Sequence, residues 1–318
     1  MERESVSVGP LRAGPGTKVT GWLPVPGTPI EMPVTIVSGT RPGPRLAVTA
    51  GVHGGEYPGI EAAIRTASQL DPADISGTVV IAHIVNVPAF QQRAIYVCPL
   101  DGKNPNRVFP GDPEGTASDR LAHTVFTEII AGSDYYVDLH GGDLNESLVP
   151  FTIVASSGRP DTDARSLALA QAYGIPYVVR GRVGGATYAA AAQQGIPAIL
   201  AEAGGGGILD EASVQRHMSG LFNVLRTTGI LPGSPVPGEP VTVLTGFHWV
   251  TSSHTGLFYA EVSPGDRVSR GARVGEIRDY FGRRMTEVTS PEEGIVLFVV
   301  TSPATNPKDP LFAVGTPG

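Results

Sequence analysis

The sequence predicts an α/β fold in which helices cover a mixed, mostly parallel sheet, with a small all-β domain at the C-terminus. Short apolar runs alternate with amphipathic stretches from residue 46 to residue 228. A segment rich in Gly and Pro at residues 229–240 then breaks every periodic pattern, and only strand-sized runs follow it. Alternating strands and helices are typical of a sheet that is covered on both faces. We therefore expect domains at residues 1–232 and 241–318.

The elements follow from the spacing of apolar residues and turn signals. The first forty residues alternate apolar and polar positions around Gly14-Pro15-Gly16 and Val25-Pro26-Gly27, which predicts short antiparallel strands. Residues 46–50 form an apolar run bounded by Pro44 and Gly51, and helical spacing follows at residues 59–70. The same alternation predicts strands at residues 78–85, 135–139, 151–155, 177–180 and 198–201, and helices at residues 118–131, 164–173, 187–194 and 211–228.

Composition excludes several classes of protein. The 318 residues include 23 basic and 30 acidic side chains, so a net charge of −7 argues against nucleic-acid binding. A hydrophobic fraction of 41% with 17% charged residues is sufficient for a buried core. The single cysteine, Cys98, cannot form an internal disulfide. No run approaches the roughly 20 apolar residues of a membrane span, and no secretory signal is visible, so we expect a cytoplasmic protein without membrane contact.

Two histidines and a carboxylate follow predicted strands and suggest a metal site. His53-Gly-Gly-Glu56 comes after the strand at residues 46–50, and His140 ends the strand at residues 135–139. Imidazole and carboxylate are the ligand types of catalytic zinc, which usually has three protein ligands. Asp138 lies two residues before His140, on the same strand face, where it could accept a hydrogen bond from a ligand imidazole. The alternative is that both histidines only cap strand ends, but this does not explain the Gly-Gly and carboxylate beside each of them.

Further polar residues stand near predicted strand ends and loops. Glu202 follows the strand at residues 198–201, where it could act as a general base or simply bind backbone N–H groups. Asn106-Arg107 lies in a long loop, with Arg93 upstream. Arginine forks bind carboxylates in a bidentate manner, but a lone arginine is usually a solvated surface residue.

Four motifs in this order resemble the succinylglutamate desuccinylase/aspartoacylase family, a branch of the zinc carboxypeptidase-like hydrolases. They are His53-Gly-Gly-Glu56, Asn106-Arg107-Val-Phe-Pro-Gly, Asp138-Leu-His140 and Glu202-Ala-Gly204. The resemblance covers the chain from about Met32 to the C-terminus. It implies a zinc carboxypeptidase-like fold.

The resemblance also assigns roles to individual residues. It implies one zinc ion per chain, bound by His53, Glu56 and His140, and makes Glu202 the general base and proton shuttle. Arg93 matches the arginine that polarises the substrate carbonyl. Asn106 and Arg107 match the pair that holds the substrate carboxylate. The stretch from Arg180 to Tyr188 is a candidate source of pocket side chains, and we take Tyr188 as substrate-binding.

The last domain resembles the small β-domain of bacterial members, which is related to the biotinyl/lipoyl β-sandwich. No lysine occurs between Lys103 and Lys308, so a covalently attached cofactor is not expected. In relatives this domain walls the cleft, and Tyr259 or His248 is the candidate to reach the substrate.

These features predict a zinc-dependent deacylase that hydrolyses the amide bond of an N-acyl amino acid or a related small amide. A carboxypeptidase-type peptidase would need the same residues in a more open cleft. A non-catalytic ligand-binding homologue is the third alternative, although a binder has no need of Glu202. The sequence leaves open the acyl group, the amine, the native metal and whether the chain forms a homo-oligomer.

Overall fold

A computed structural model gives the structure of the chain and describes residues 4–181 and 183–318. The strands in these ranges are β1 (Val6–Val8), β2 (Leu11–Ala13), β3 (Thr17–Pro24), β4 (Glu31–Ser38), β5 (Arg41–Ala50), β6 (Ser76–Ala82), β7 (Tyr135–His140), β8 (Glu146–Leu148), β9 (Phe151–Ala155), β10 (Tyr177–Gly181), β11 (Ala198–Glu202), β12 (Thr242–Thr251), β13 (Gly256–Ala260), β14 (Arg267–Val268), β15 (Arg273–Arg278), β16 (Arg284–Thr289), β17 (Gly294–Val300), β18 (Ala304–Thr305) and β19 (Pro310–Pro317). The α-helices are α1 (Tyr57–Gln69), α2 (Val87–Gln92), α3 (Ala117–Thr124), α4 (Pro160–Tyr173), α5 (Thr187–Gln193) and α6 (Glu211–Thr227).

A large mixed sheet runs through the molecule, which confirms the predicted fold class. Within the described residues, its strand order is β14-β17-β19-β12-β10-β9-β11-β7-β5-β6-β4-β3, and β8 pairs with β17. Strands β6, β5, β7 and β11 are parallel to their neighbours in one block. Strands β9, β10 and β12 form a second parallel block, which meets the first through the antiparallel pair β9 and β11.

Helices cover both faces of the central strands because alternate strand residues point to opposite sides. On β11, Ile199 packs in the core with α1, α4 and α6. Leu200, the next residue, packs in the core with α3 and α5 on the other face. The two-sided burial explains why β11 is an apolar run rather than an alternating one.

Two helical segments differ from the sequence prediction. The helix expected at residues 118–131 is α3 followed by a π-helical turn at Val125–Ile130. The wider turn keeps Leu121, Val125 and Ile129 buried, so the apolar spacing could not reveal it. Helix α2 was not predicted; Asn86 caps it by accepting a hydrogen bond from the Ala89 N–H at 3.3 Å.

The C-terminal part extends the main sheet. No helix follows residue 240 in the described chain, and β12 pairs in parallel with β10. A separate four-stranded antiparallel sheet, in the order β16-β15-β13-β18, packs on an apolar core that includes Phe258, Ile277 and Phe312. The domain division between residues 232 and 241 stays a prediction, since the sheet continues across it.

The carboxyl ends of β5, β7 and β11 meet at one edge of the first parallel block. Ala50 on β5 pairs with Leu139, and His140 at the end of β7 pairs with Glu202 on β11. Open α/β sheets place their ligands at this edge. Among the described residues, no helix is both long and apolar enough to cross a lipid bilayer.

Candidate functional site

Three buried side chains converge at this edge of the sheet. The Nδ1 atom of His53 lies 2.8 Å from Glu56 Oε1, and the Nδ1 atom of His140 lies 2.8 Å from Glu56 Oε2. The imidazole rings stand edge to face, with centroids 4.9 Å apart. Among the described residues this is the group of His, Cys, Asp and Glu side chains whose ligand atoms lie close enough to hold one metal ion, all within 4.8 Å of one another.

The other nitrogen of each histidine is held by an oxygen acceptor. His140 Nε2 donates to Asp138 Oδ2 at 2.9 Å, and His53 Nε2 donates to Asn104 Oδ1 at 3.1 Å. With a proton on each Nε2, a neutral imidazole has its lone pair on Nδ1. Both lone pairs then point toward the Glu56 carboxylate.

This arrangement requires positive charge between the three groups. A nitrogen lone pair and a carboxylate oxygen repel each other at 2.8 Å unless a proton or a cation lies between them. Glu56 Oε2 is buried, and its contact with His140 lacks hydrogen-bond geometry, so this oxygen has no hydrogen-bond partner in the part of the chain that the structure describes. A carboxylate that lies between two imidazole nitrogens and has one unpaired oxygen fits a divalent metal ion, for which this donor set is suitable.

The pKa values of the site reflect the same crowding of charge. Burial disfavours the charged form of Glu56, but His140 and His53 outweigh burial and lower its pKa to about 2. Burial likewise lowers the pKa of His140, and Glu56 and Asp138 outweigh it and raise that pKa well above the ordinary value. The surroundings therefore favour the ionised form of Glu56 opposite a positively charged group.

Close backbone packing explains the two glycines between His53 and Glu56. A Cβ at Gly54 would lie 2.1 Å from the backbone nitrogen of Phe90, on α2. A Cβ at Gly55 would lie 2.3 Å from Asp143 Oδ1. The loop can turn back toward β7 only because both positions lack a side chain.

Asp138 is held by neighbours on both sides. Its Oδ1 accepts a hydrogen bond from the Thr49 hydroxyl at 2.6 Å, and its Oδ2 accepts one from the Thr187 hydroxyl. Thr187 begins α5, so this contact ties the helix to the histidine end of β7. Asp138 is fully buried and orients His140, as expected for the outer-shell partner of a ligand histidine.

Glu202 stands beside the cluster without a partner for one oxygen. Its Oε2 is shielded from solvent and accepts no hydrogen bond from residues 4–181 or 183–318. Burial, and then the negative charge of Glu56, raise the pKa of Glu202 well above its ordinary value. A bound cation would act in the opposite direction, because a nearby positive charge favours the carboxylate. A carboxyl group placed in this way can take and release protons.

A cleft of about 810 Å³ opens over these residues. It contains most of the side chains that the sequence singled out, together with apolar side chains from the C-terminal part. The predicted residues that line it are His53, Glu56, Asn106, Arg107, His140, Tyr188 and Glu202.

The predicted substrate-binding residues lie on one wall of the cleft. Asn106 Oδ1 accepts a hydrogen bond from the Thr187 N–H at 2.9 Å, which fastens the loop to the start of α5. The exposed side chain of Arg107 bonds the carbonyl of Asn106 at 2.8 Å. Tyr188 is buried, and its hydroxyl has no hydrogen-bond partner among the described residues. Arg182, in the stretch from Arg180 to Tyr188, lies outside the described residues.

Arg93 is not brought to the cleft. It is exposed, ends α2 with a left-handed φ of 53°, and does not belong to the lining of the cleft. Arg93 stands at the end of α2, a helix that the sequence did not predict, so the direction of this helix determines where the side chain lies. A carbonyl-polarising role for Arg93 stays a prediction from the resemblance, without support from the geometry.

The C-terminal part does line the cleft, through residues other than those expected. Phe247 and Trp249 on β12 face it, whereas His248 between them points to the other side of the strand and contacts the Thr316 hydroxyl at 3.5 Å. Tyr259 lies on β13 in the separate sheet, with Arg278 over its ring.

Asn104 and Glu146 are among the polar groups of the cleft that sequence reasoning missed. Asn104 accepts the hydrogen bond of His53 and thereby orients its ring. It stands two residues before Asn106, and this closeness to the Asn106-Arg107 pair is the sequence signal that could have identified it. Glu146 lines the cleft and accepts a hydrogen bond from the Tyr96 hydroxyl at 2.8 Å. Burial raises the pKa of Glu146. Its only sequence signal is its position six residues after His140.

The sequence model of a known protein family matches residues 42–228, and its description is the succinylglutamate desuccinylase/aspartoacylase catalytic domain. The matched range contains the predicted metal ligands, Glu202, Arg93 and the predicted substrate-binding residues, but not His248 or Tyr259. It ends just before the Gly- and Pro-rich segment at residues 229–240.

Individual relatives match most of the chain. An N-alpha-acetyl-L-2,4-diaminobutyric acid deacetylase from Halomonas elongata is 33% identical over 257 residues, which are 79% of this chain and 75% of the relative. A succinylglutamate desuccinylase/aspartoacylase from Rhodobacter sphaeroides superposes with a TM-score of 0.86 at 29% identity, covering 95% of both chains. The product-bound ectoine utilization protein EutE (DoeB) from Ruegeria pomeroyi also gives 0.86, at 27% identity, covering 94% of this chain and 95% of that one.

Proposed function

The chain belongs to the succinylglutamate desuccinylase/aspartoacylase family, and we propose on this basis that it is a zinc-dependent deacylase. Its reaction is hydrolysis of the amide bond of an N-acyl amino acid or a related small amide that bears a carboxylate. The observation that carries the proposal is the convergence of His53, Glu56 and His140 beside Glu202 in one cleft. The names of the relatives support it, since one is a deacetylase of an acetylated diamino acid.

His53 Nδ1, His140 Nδ1 and the Glu56 carboxylate would hold the zinc ion. When bound there, the ion supplies Lewis acidity, which lowers the pKa of water and polarises a carbonyl oxygen. Asp138 and Asn104 keep both imidazoles in the tautomer that leaves Nδ1 free. The protein therefore presents the three ligand atoms in advance.

Glu202 moves the proton of the reaction. Its carboxylate takes one proton from the attacking water while the water oxygen bonds to the amide carbon. Glu202 returns this proton to the amide nitrogen as the C–N bond breaks, and the second water proton leaves the new carboxyl group, so that the products are a carboxylate, an amine and a proton. A carboxylate at this position can both accept the proton and return it.

Arg107, Asn106 and Tyr188 would bind the substrate. Arg107 can form a bidentate pair with the substrate carboxylate, while Asn106 holds the loop in place and also lines the cleft. The unpartnered Tyr188 hydroxyl can donate to the substrate. Cytoplasmic location stays a prediction from the sequence, which leaves the oligomeric state open.

A hydrolysis panel tests the proposal. N-acyl amino acids, C-terminally extended short peptides and simple amides without a carboxylate are incubated with the zinc-loaded and the chelator-treated protein, and release of free amine is measured. We expect hydrolysis of N-acyl amino acids that chelation abolishes and zinc restores. Faster cleavage of peptides would favour the peptidase alternative. Zinc binding without turnover of any substrate would favour a ligand-binding protein.

Tyr188→Phe separates binding from stability. Because the buried hydroxyl has no hydrogen-bond partner among the described residues, its removal should leave no orphaned group there and should not lower the melting temperature. Loss of a hydrogen bond to the substrate should lower kcat/KM by about tenfold, which corresponds to roughly 1.4 kcal/mol. Steady-state kinetics and thermal unfolding provide the two measurements. Unchanged kinetics would remove Tyr188 from the substrate site.

A further inference from the structure

Four aromatic side chains form a continuous row along one side of the cleft. The ring centroids of Phe151 and Phe247 are 6.1 Å apart, those of Phe247 and Trp249 are 5.2 Å apart, and those of Trp249 and Phe298 are 4.8 Å apart. All four residues line the cleft that also holds the candidate metal ligands. We call this set the aromatic row.

The row begins beside the proposed general base. Phe151 on β9 is the register partner of Glu202 on β11, so both side chains lie on the same face of the sheet. The row continues over β12 to Phe298 on β17. It therefore extends from the reacting groups into the part of the cleft that the C-terminal strands build.

Only part of the aromatic row is buried in the hydrophobic core. Phe151 and Phe298 are buried, but Trp249 is 49% exposed although it lies in a concave surface. Leu148 and Val179 add further apolar surface to the same cleft. The volume of the cleft, about 810 Å³, lies within the range of roughly 300–1,000 Å³ that is typical of sites for drug-sized ligands. An acetyl group would fill only a small part of this volume.

We propose that the aromatic row binds an aryl or long alkyl group of the substrate, attached on one side of the scissile amide. This inference rests on the proposed function and narrows its substrate class to amides that carry a large apolar group. Aromatic rings in offset or edge-to-face contact bind such groups with defined geometry. The acyl side and the amine side are the two possible sources of the group.

Matched substrates distinguish the two sources. N-acetylglycine is compared with N-(3-phenylpropanoyl)glycine, which extends the acyl side, and with N-acetyl-L-phenylalanine, which extends the amine side. We expect kcat/KM to rise at least tenfold in one arm. In Trp249→Ala that gain should disappear, so that the ratio of kcat/KM for the aryl substrate to kcat/KM for N-acetylglycine falls to about one.

The chain offers a matched control for this substitution. Trp22 is the other of the two tryptophans in the chain, and it is 57% exposed on β3 at the far edge of the sheet. Trp22→Ala removes the same side chain and should leave both kcat/KM values unchanged. Equal loss of the aryl preference in both variants would contradict a local role of Trp249.

Fluorescence measures binding without turnover. Trp22→Phe leaves Trp249 as the sole tryptophan, and its emission is followed during titration with 3-phenylpropionate against acetate and with L-phenylalanine against glycine. We expect a saturable change with one aryl compound and none with its small counterpart. Hydrolysis of small and aryl substrates at equal rates, with no emission change for either aryl compound, would overturn this inference alone. An aryl-dependent emission change without any hydrolysis would sustain the apolar site and overturn the proposed deacylase function.

Discussion

The Glu202→Gln variant should lose roughly 10²- to 10⁴-fold in kcat, which is the range for removal of a general acid–base group, and should bind zinc as the unsubstituted chain is proposed to do. Glutamine has nearly the same shape but can neither accept the proton of water nor return one to the amine. Glu202 is absent from the three residues with converging ligand atoms, so zinc content should stay at one equivalent. Amine release and metal analysis on the same preparation measure both quantities.

Glu211→Gln is the control for this experiment. Glu211 lies at the start of α6, where its exposed carboxylate pairs with Arg65 at 2.7 Å. An exposed ion pair contributes little to stability, and Glu211 does not line the cleft. The activity of this variant should therefore match that of the unsubstituted chain. Full activity of Glu202→Gln with bound zinc would exclude Glu202 from proton transfer.

Glu56→Gln should abolish zinc binding at micromolar metal and hydrolysis with it. The substitution removes the only formal negative charge among the three proposed ligands and leaves an amide oxygen, a weaker donor for zinc. Loss of an outer-shell partner costs 10- to 100-fold in metal affinity, and we expect loss of a ligand charge to cost more than about 100-fold. Equilibrium dialysis with zinc measures the affinity directly.

Glu146→Gln makes the same chemical change elsewhere in the cleft. Glu146 also lines the cleft and is held by Tyr96, but it does not belong to the converging group. This variant should bind zinc with unchanged stoichiometry. A Glu56→Gln protein that bound zinc as tightly as the unsubstituted chain would refute the assigned ligand set.

The sequence predicted the strands that carry the site because each is a buried run bounded by turn residues. His140 and Glu202 stand at the ends of two such runs, β7 and β11, and His53 follows a third, β5. The carboxyl ends of neighbouring parallel strands share one edge of a sheet, so strand ends alone indicated which side chains would meet. The resemblance to a known family added roles for Asn106 and Arg107.

The position of Arg93 could not be inferred in this way. It follows a six-residue helix whose direction depends on packing against the loop at Gly54. Short helices have little intrinsic stability, and the contacts around them determine whether and how they form. A spacing between two arginines carries no information about such contacts.

The cleft wall from the C-terminal part shows the same limit. The pairing of β12 with β19 shifts register, as at a β-bulge, between Leu244 and Gly246, and beyond this point Phe247 and Trp249 face the cleft whereas His248 does not. A register shift of one residue exchanges the two faces of a strand. Nothing in the alternating pattern of residues 242–251 indicates where the bulge lies.

Local patterns of apolar residues, turn residues and strand-end histidines were thus sufficient for the fold class and for the residues most suited to bind a metal. These properties depend on short stretches of chain and on the general geometry of parallel sheets. The substrate wall, the aromatic row and the exclusion of Arg93 from the cleft depend on how distant segments pack. Such packing depends on many contacts between residues that are far apart in the sequence, and therefore only the tertiary structure determines it.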